Sequence, residues 1–129
     1  MIVGMGTDIV ELARLDAAIK RGGEAFLRRF CTERELRESQ GRLAFYAGRW
    51  AAKEAASKAL GCGIGNRCAF ADIEVSNDRL GAPVLQCHAP AALELQKRYP
   101  HLKWHLSISH EHAYAVATVI IESVEDGSR

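Results

Sequence analysis

The sequence lacks the features that mark several classes of protein. Its 129 residues include only three prolines and contain no repeat or low-complexity segment, which argues against a linker, a fibre or a repeat array. The longest mostly apolar stretch, Tyr114–Ile121, is far shorter than the ~20 residues that cross a bilayer. No basic stretch followed by an apolar segment opens the chain, so we expect no export signal, no membrane association and a cytoplasmic protein.

Neither sign of charge is in excess. Seventeen lysines and arginines against sixteen aspartates and glutamates give a formal charge of +1. This balance argues against a general nucleic-acid-binding surface, but it leaves room for local patches. The hydrophobic fraction of 48% and the charged fraction of 26% are those of an ordinary globular domain. We therefore predict a single domain over residues 1–123 and a frayed tail over residues 124–129.

The sequence also has no Cys-x-x-Cys pair. Its four cysteines are Cys31, Cys62, Cys68 and Cys87. In a reducing compartment, we interpret them as small buried thiols in preference to a zinc site or a disulfide framework.

The predicted elements follow the order β-α-α-α-β-β-α-β-β, in which the two helical segments on either side of a break at Gly22 and Gly23 count as one helix. Residue patterns predict a first strand over Met1–Asp8, a long alanine-rich helix over Arg42–Leu60, and two last strands over Trp104–Ser109 and Tyr114–Ile121. The remaining elements are helices over Glu11–Lys20, Glu24–Phe30 and Pro90–Tyr99, a short helix opened by the capping box of Thr32 and Glu35, and a hairpin around Ile73–Cys87. Strict strand–helix alternation is missing, so we predict an α+β fold with a mainly antiparallel sheet and a long central helix.

Three charged residues are the first candidates for chemistry. Asp8 is predicted at the end of the first strand, where its carboxylate could face a ligand or could instead cap the following helix. Glu54 and Lys58 lie four residues apart on one face of the long helix, where they could form a simple surface ion pair. Taken together, Asp8 and Glu54 could supply the one or two carboxylates that Mg²⁺ usually takes, and Lys58 could meet a pyrophosphate oxygen.

A glycine-rich loop follows the long helix. The backbone N–H groups of Gly61–Gly65 could bind phosphate, or the glycines could only end the helix. Because the loop follows a helix and does not open one, neither a P-loop nor a dinucleotide-binding turn fits.

The strand Trp104–His110 carries the third group of polar residues. Alternation places Trp104, Leu106 and Ile108 on one face and His105, Ser107 and Ser109 on the other. Hydroxyls and imidazoles near a strand end could bind an anion, or they could form a polar edge that faces solvent. A Ser/His nucleophilic pair is disfavoured, because no nucleophile-elbow sequence and no orienting acid accompany it.

Three ordered motifs resemble those of the holo-[acyl-carrier-protein] synthase family, the short trimeric type of 4'-phosphopantetheinyl transferase. They are Gly4–Glu11, Gly48–Gly61 and His105–His110, and the segment from Phe70 to Pro83 is similar to the family's hairpin. The resemblance covers nearly the whole chain. One departure is Cys62, which stands where family members often carry threonine.

The resemblance implies roles for individual residues. Asp8 and Glu54 match the Mg²⁺ ligands, and Lys58 matches a lysine that contacts the coenzyme phosphates. Ser109 and His110 match residues that hold the adenosine-phosphate end of coenzyme A, and Gly61 and Gly63 lie in the loop assigned to the same ligand. The candidates for contact with an acidic acyl carrier protein are Arg14, Arg21 and Arg28. The implied assembly is a homotrimer with sites between subunits.

The implied reaction is phosphoryl transfer in fatty acid biosynthesis. A carrier-protein serine attacks the β-phosphorus of coenzyme A and releases adenosine 3',5'-bisphosphate. Glu54, directly or through a bound water, is the candidate general base, and Glu54 and Lys58 are the candidate catalytic residues. Two alternatives stay open from the sequence: a Mg²⁺-dependent pyrophosphohydrolase, and a non-catalytic module that binds coenzyme A or a carrier.

Overall fold

The computed structural model describes residues 1–125, and its elements follow the predicted order. The strands are β1 (Ile2–Glu11), β2 (Ile73–Asn77), β3 (Pro83–Cys87), β4 (Leu102–His110) and β5 (Tyr114–Ser123). The α-helices are α1 (Leu12–Phe30), α2 (Glu33–Ser39), α3 (Leu43–Ala59) and α4 (Pro90–Arg98), and a short 3₁₀ helix covers Phe70–Asp72.

Both sheets are antiparallel, which confirms the predicted fold class. The larger sheet has the order β1-β5-β4, and β2 pairs with β3 in a separate hairpin. In the larger sheet Asp8 is opposite Ala117, and Ala117 is opposite Ile108. Buried residues alternate along β5 at Ala115, Ala117, Val119 and Ile121, so one face of this sheet is the core face.

Helix α3 packs on that face at unusually short range. Alanines form most of its buried side, including Ala51, Ala52, Ala55 and Ala56. A Cβ atom added at Gly6 of β1 would collide with the carbonyl oxygen of Ala55 and lie 2.9 Å from Lys58 Cβ. The small residues therefore let the helix backbone approach the strand backbone.

Helix α1 is attached to α3 through aromatic rings. The ring of Phe30 packs against Phe26, Trp50 and Phe70 at centroid distances of 5.4, 5.1 and 6.3 Å. Gly23 is not helical (φ 60°, ψ −149°), so the predicted break at this glycine is present as a kink between two helical segments.

Two boundaries differ from the sequence-based prediction. Strand β1 continues to Glu11, because its pairing with β5 extends to Tyr114. Asp8 therefore lies inside the strand, and the idea that Asp8 caps the next helix was wrong: the residue at that position is Glu11, whose side chain makes no cap hydrogen bond. Val124, predicted as the first residue of a frayed tail, is buried and donates its N–H to His101 O over 2.9 Å.

The rest of the predicted tail, residues 126–129, lies outside the described residues. Among residues 1–125 no helix is long and apolar enough to cross a membrane. All four cysteines are free thiols; Cys31 and Cys68 are buried and Cys62 and Cys87 are partly buried.

The close approach of α3 to β1 gives a direct prediction. Gly6→Ala should destabilise the fold by about 1–3 kcal/mol, because its Cβ would collide with the carbonyl oxygen of Ala55. Helix backbone cannot move aside as the end of a flexible side chain can. Gly65→Ala is the matched control, since a Cβ at Gly65 would meet no atom within 4 Å. Urea unfolding of both variants measures the difference, and wild-type stability in Gly6→Ala would contradict the packing described.

Candidate active site

Strand β1 and helix α3 bring the three predicted charged residues together. Asp8 points to the α3 side of the sheet, and its side chain is only 15% exposed. Lys58 Nζ lies 3.0 Å from Asp8 Oδ1 and donates a second hydrogen bond of 3.0 Å to Thr7 O. Lys58 is therefore paired across the strand–helix contact, and the simple Glu54–Lys58 surface pair is not the arrangement adopted.

Glu54 lies beside this pair in a half-buried position. Burial raises the pKa of its carboxyl above the ordinary value, and the negative charge of Asp8 raises it further, while Lys58 acts in the opposite direction. A second carboxylate near a first is unfavourable without a cation between them. Asp8 and Glu54 therefore repel each other, and Lys58 offsets this repulsion only in part.

These residues line an open cavity of about 440 Å³. Arg14 and Arg21 of α1 contribute to one wall, and Phe26 and Trp50 contribute aromatic surface. Arg28 does not line this cavity; it forms ion pairs with Glu24, over 3.0 Å, and with Glu33. The cavity thus joins three carboxylates, since Glu11 also lines it, with three cationic side chains and an apolar surface. It includes two of the three predicted carrier-binding arginines.

The donor set of this cavity fits Mg²⁺. Among residues 1–125 there is no group of three or more His, Cys, Asp or Glu side chains that could enclose an ion. Mg²⁺ does not need such a cage, because it usually binds one or two carboxylates and fills its other positions with water and substrate phosphate. The mutual repulsion of Asp8 and Glu54 is what a divalent cation would relieve.

The glycine-rich loop ends α3 in a Schellman motif. Gly61 has φ of 81°, and its N–H donates to Lys58 O over 2.9 Å. The N–H groups of Cys62 and Gly63 both donate to Ser57 O over 3.2 Å. These amides already satisfy helix carbonyls, so the structure supports the loop as a helix end, and coenzyme binding by Gly61 and Gly63 stays a prediction.

The structure does not place Ser109 and His110 in the Asp8 cavity. Ser109 lies opposite Val116 on the sheet face away from α3, next to Ile9. His110 lines a second cavity of about 550 Å³, and as the last residue of β4 it also borders the surface beside Ser109. The predicted alternation along this strand is present up to Ser109.

The second cavity contains residues that the sequence reasoning missed. Arg42, Phe45 and Arg49 line it together with His110. Arg49 is buried, its guanidinium lies 3.9 Å from the Phe45 ring centroid, and its Nε is a buried donor without a partner among the described residues. The spacing of three and four residues between Arg42, Phe45 and Arg49 is a helical-face signal that could have identified this cationic surface.

Comparison with known sequences identifies one family. A family model described as the 4'-phosphopantetheinyl transferase superfamily matches residues 4–119. A holo-[acyl-carrier-protein] synthase of Vibrio cholerae serotype O1 is 50% identical over 127 residues, which cover 95% of this chain and 98% of that protein. The similarity therefore includes every motif considered above.

Comparison with solved structures gives the same result. A holo-(acyl-carrier-protein) synthase from Bacillus anthracis, in complex with CoA (3',5'-ADP), has a TM-score of 0.80 and 43% identity, covering 96% of this chain and 99% of that one. The Helicobacter pylori holo-[acyl-carrier-protein] synthase in complex with coenzyme A has a TM-score of 0.82 and 34% identity, covering 92% and 99%.

The charge imbalance at Glu54 predicts a specific pH dependence. A raised folded-state pKa means that the charged carboxylate destabilises the metal-free fold at pH values above that pKa. Glu54→Gln should therefore raise the melting temperature of metal-free protein at neutral pH. The gain should disappear as pH falls below the ordinary glutamate pKa of ~4.3, because Glu54 is then neutral in both folded and unfolded chains.

Thermal melts in EDTA from pH 3.5 to 8 measure this effect. Glu94→Gln on α4 is the control, since Glu94 is 64% exposed and should leave the profile unchanged. Identical pH profiles for wild type and Glu54→Gln would contradict the buried, repelled carboxylate. Excess Mg²⁺ should stabilise the wild type and have much less effect on Glu54→Gln.

Proposed function

The chain belongs to the 4'-phosphopantetheinyl transferase superfamily, and we propose that its reaction takes place in the cavity between β1 and α3. The protein transfers the 4'-phosphopantetheine group of coenzyme A to a serine of apo acyl carrier protein and releases adenosine 3',5'-bisphosphate. The observation that carries the location is the convergence of Asp8, Glu54 and Lys58 in one cavity. The alignments with holo-[acyl-carrier-protein] synthases cover almost the whole length of both chains, at 50% and 43% sequence identity.

We propose Mg²⁺ as the cofactor, held by Asp8 and Glu54. When bound there, the ion supplies positive charge that neutralises the phosphate oxygens during transfer. The half-buried position of Glu54 beside Asp8 supports this assignment, since burial first and the Asp8 charge second raise the pKa of Glu54 in the absence of a cation. Lys58 would exchange its hydrogen bond with Asp8 for one with a pyrophosphate oxygen.

Transfer requires one bond to form and one to break. The serine Oγ of the carrier protein bonds to the β-phosphorus, and the bond from that phosphorus to the bridging oxygen breaks as adenosine 3',5'-bisphosphate departs. The serine proton needs an acceptor. Glu54 is our candidate, directly or through a bound water, because its half-buried carboxylate lines the cavity proposed for the transfer.

The second cavity suits the other end of coenzyme A. Arg42, Arg49 and His110 line it together with the aromatic ring of Phe45. The Nε–H group of Arg49 has no hydrogen-bond acceptor among the described residues, and a phosphate oxygen could accept this hydrogen bond. This supports the assignment of His110 to the adenosine-phosphate end and adds the two arginines to it.

An acidic carrier protein would approach α1. Arg14 and Arg21 are exposed on this helix and also line the cavity, so a partner that contacts them has its serine near the site. Arg28 is also exposed, but its two glutamate partners already compensate its charge. Arg14 and Arg21 are therefore the stronger candidates for carrier docking, and Arg28 the weaker one.

We propose a homotrimer with active sites between subunits. The sheet face opposite α3 is uncovered in a single chain and carries exposed apolar side chains, with Met5 68%, Ile9 63%, Tyr114 41% and Val116 37% exposed. A contiguous apolar surface of this kind is typical of a protein–protein interface. The separation of His110 from the Asp8 cavity within one chain also supports a site completed by a neighbour.

One incubation separates the transferase from the two alternatives. Purified protein is mixed with coenzyme A, Mg²⁺ and an apo acyl carrier protein, and the carrier is followed by mass spectrometry. A transferase adds one phosphopantetheine group to the carrier serine. A pyrophosphohydrolase would consume coenzyme A and leave the carrier unchanged, and a binding module would leave both unchanged; either result would contradict the proposed function.

Subunit mixing tests the intersubunit site. Asp8→Ala and His110→Ala proteins should each be impaired alone. After unfolding and refolding together one to one, about a quarter of the interfaces should combine an intact Asp8 with an intact His110. Roughly that fraction of wild-type transfer should return.

The matched control mixes Asp8→Ala with Glu54→Ala. Both changes lie in the same cavity of one chain, so no mixture of these two proteins contains an intact site. Mixed trimers, verified by mass, that recover no activity in the first experiment would show that each site lies within a single chain.

A further inference from the structure

Lys53 is a charged residue of the Gly48–Gly61 motif that takes no part in the reaction described above. Lys53 directly precedes Glu54, yet its side chain is completely buried. Its Nζ lies 2.7 Å from Glu35 Oε1, whose side chain is 1% exposed. Lysine and glutamate are almost never fully buried unless they are paired. The ion pair between Lys53 and Glu35 is therefore what allows both side chains to lie in the core.

The ammonium group of Lys53 joins three separate elements to α3. It donates to Phe30 O, the last carbonyl of α1, over 2.7 Å, to Glu35 of α2, and to Phe70 O at the start of the 3₁₀ helix over 3.3 Å. Its three protons therefore all have acceptors.

The carboxylate of Glu35 is equally well used. Its Oε1 also accepts the N–H of Thr32 over 2.8 Å, and its Oε2 accepts the N–H of Val75 in β2 over 2.8 Å. The capping box predicted for Thr32 and Glu35 is thus also one end of a buried network that reaches from α2 to α3 and β2.

Stability alone does not account for this network. A buried ion pair costs much of its attraction in lost hydration, and hydrophobic replacements of similar volume are often no less stable. What the pair does supply is a fixed geometry. Successive helix residues are ~100° apart around the axis, so holding Lys53 toward α1 and α2 holds Glu54 toward Asp8.

The required precision can be estimated. If α3 rotated by about 20° around its axis, a carboxylate that lies ~6 Å from that axis would move by about 2 Å. Displacements of about 1 Å in an active site can reduce rates by about a hundredfold. The hydrogen bond to Phe30 O also fixes the residue on which Phe26 and Trp50 pack, and these two rings line the same cavity.

We infer that Lys53, through its buried contacts with Glu35, Phe30 and Phe70, is a positioning residue that orients Glu54 and the aromatic wall of the transfer cavity. The inference rests on the proposed function of that cavity. Lys53 touches no substrate in this account, and it acts through the orientation of α3 and the end of α1.

The test compares Glu35→Gln with the double variant Lys53→Met/Glu35→Gln. Glutamine leaves an acceptor for Lys53, so Glu35→Gln should keep kcat within about threefold of wild type even if it melts earlier. The double variant has no buried charge left unpaired, but it loses the hydrogen bonds from Lys53 to Phe30, Glu35 and Phe70. Its kcat should fall at least tenfold, with the KM for coenzyme A within threefold, and it should need more Mg²⁺ for half-maximal activity.

Two further variants keep the test decisive. Lys53→Arg retains the charge that Glu35 needs, but its wide planar fork cannot put one nitrogen between the Phe30 and Phe70 carbonyls, so kcat should again fall at least tenfold. Leu95→Ala on α4 controls for lost stability, because Leu95 packs against the core and does not line the cavity. This variant should keep kcat when assayed below its melting temperature.

The outcomes distinguish this inference from the proposed function. Wild-type protein that transfers no phosphopantetheine would overturn the proposed function itself. An active wild type combined with unchanged kcat in the double variant, relative to Glu35→Gln, would overturn the positioning role. If the double variant does not fold, wild-type kcat in Lys53→Arg would overturn it in the same way.

Discussion

The close contact between α3 and β1 is the constraint on which the rest of the site depends. Gly4 and Gly6 leave no Cβ between the strand and the helix carbonyls of Ala59 and Ala55. Three charged side chains meet at one end of this contact. Asp8 projects from the strand, and Glu54 and Lys58 project from the helix. A larger residue at either glycine would separate the charged groups along with the backbones.

This contact brings the carboxylates of Asp8 and Glu54 close enough to repel each other. Two carboxylates and one lysine share a half-buried position, and the pKa of Glu54 rises in response to burial and to Asp8. Such a site favours the binding of a cation, which would reduce the repulsion between the two carboxylates, and of a phosphate beside it. The buried Lys53–Glu35 pair is the opposite case, since every donor and acceptor of that network is satisfied within the chain and its effect is geometric.

Much of the fold could be predicted because local signals agree with the tertiary structure. The capping box of Thr32 and Glu35, the glycine break at Gly23 and the alternation along β4 all appear as expected. The end of β1 could not be placed, because pairing with β5 extends the strand beyond Asp8. Similarly, Lys53 could be recognised only as part of the Gly48–Gly61 motif that resembles the family. Its burial depends on Phe30, Glu35 and Phe70, which are distant in sequence.

The central claim is that Asp8 and Glu54 of the same chain hold one metal ion. A crystal grown with coenzyme A and with Mn²⁺ in place of Mg²⁺ tests it through the anomalous scattering of manganese. We predict one anomalous peak with a carboxylate oxygen from each of Asp8 and Glu54 at roughly 2.0–2.2 Å, close to the ~2.0–2.1 Å typical of Mg²⁺. A peak that neither carboxylate contacts, or one bridged by Asp8 and Glu54 of different chains, would contradict it.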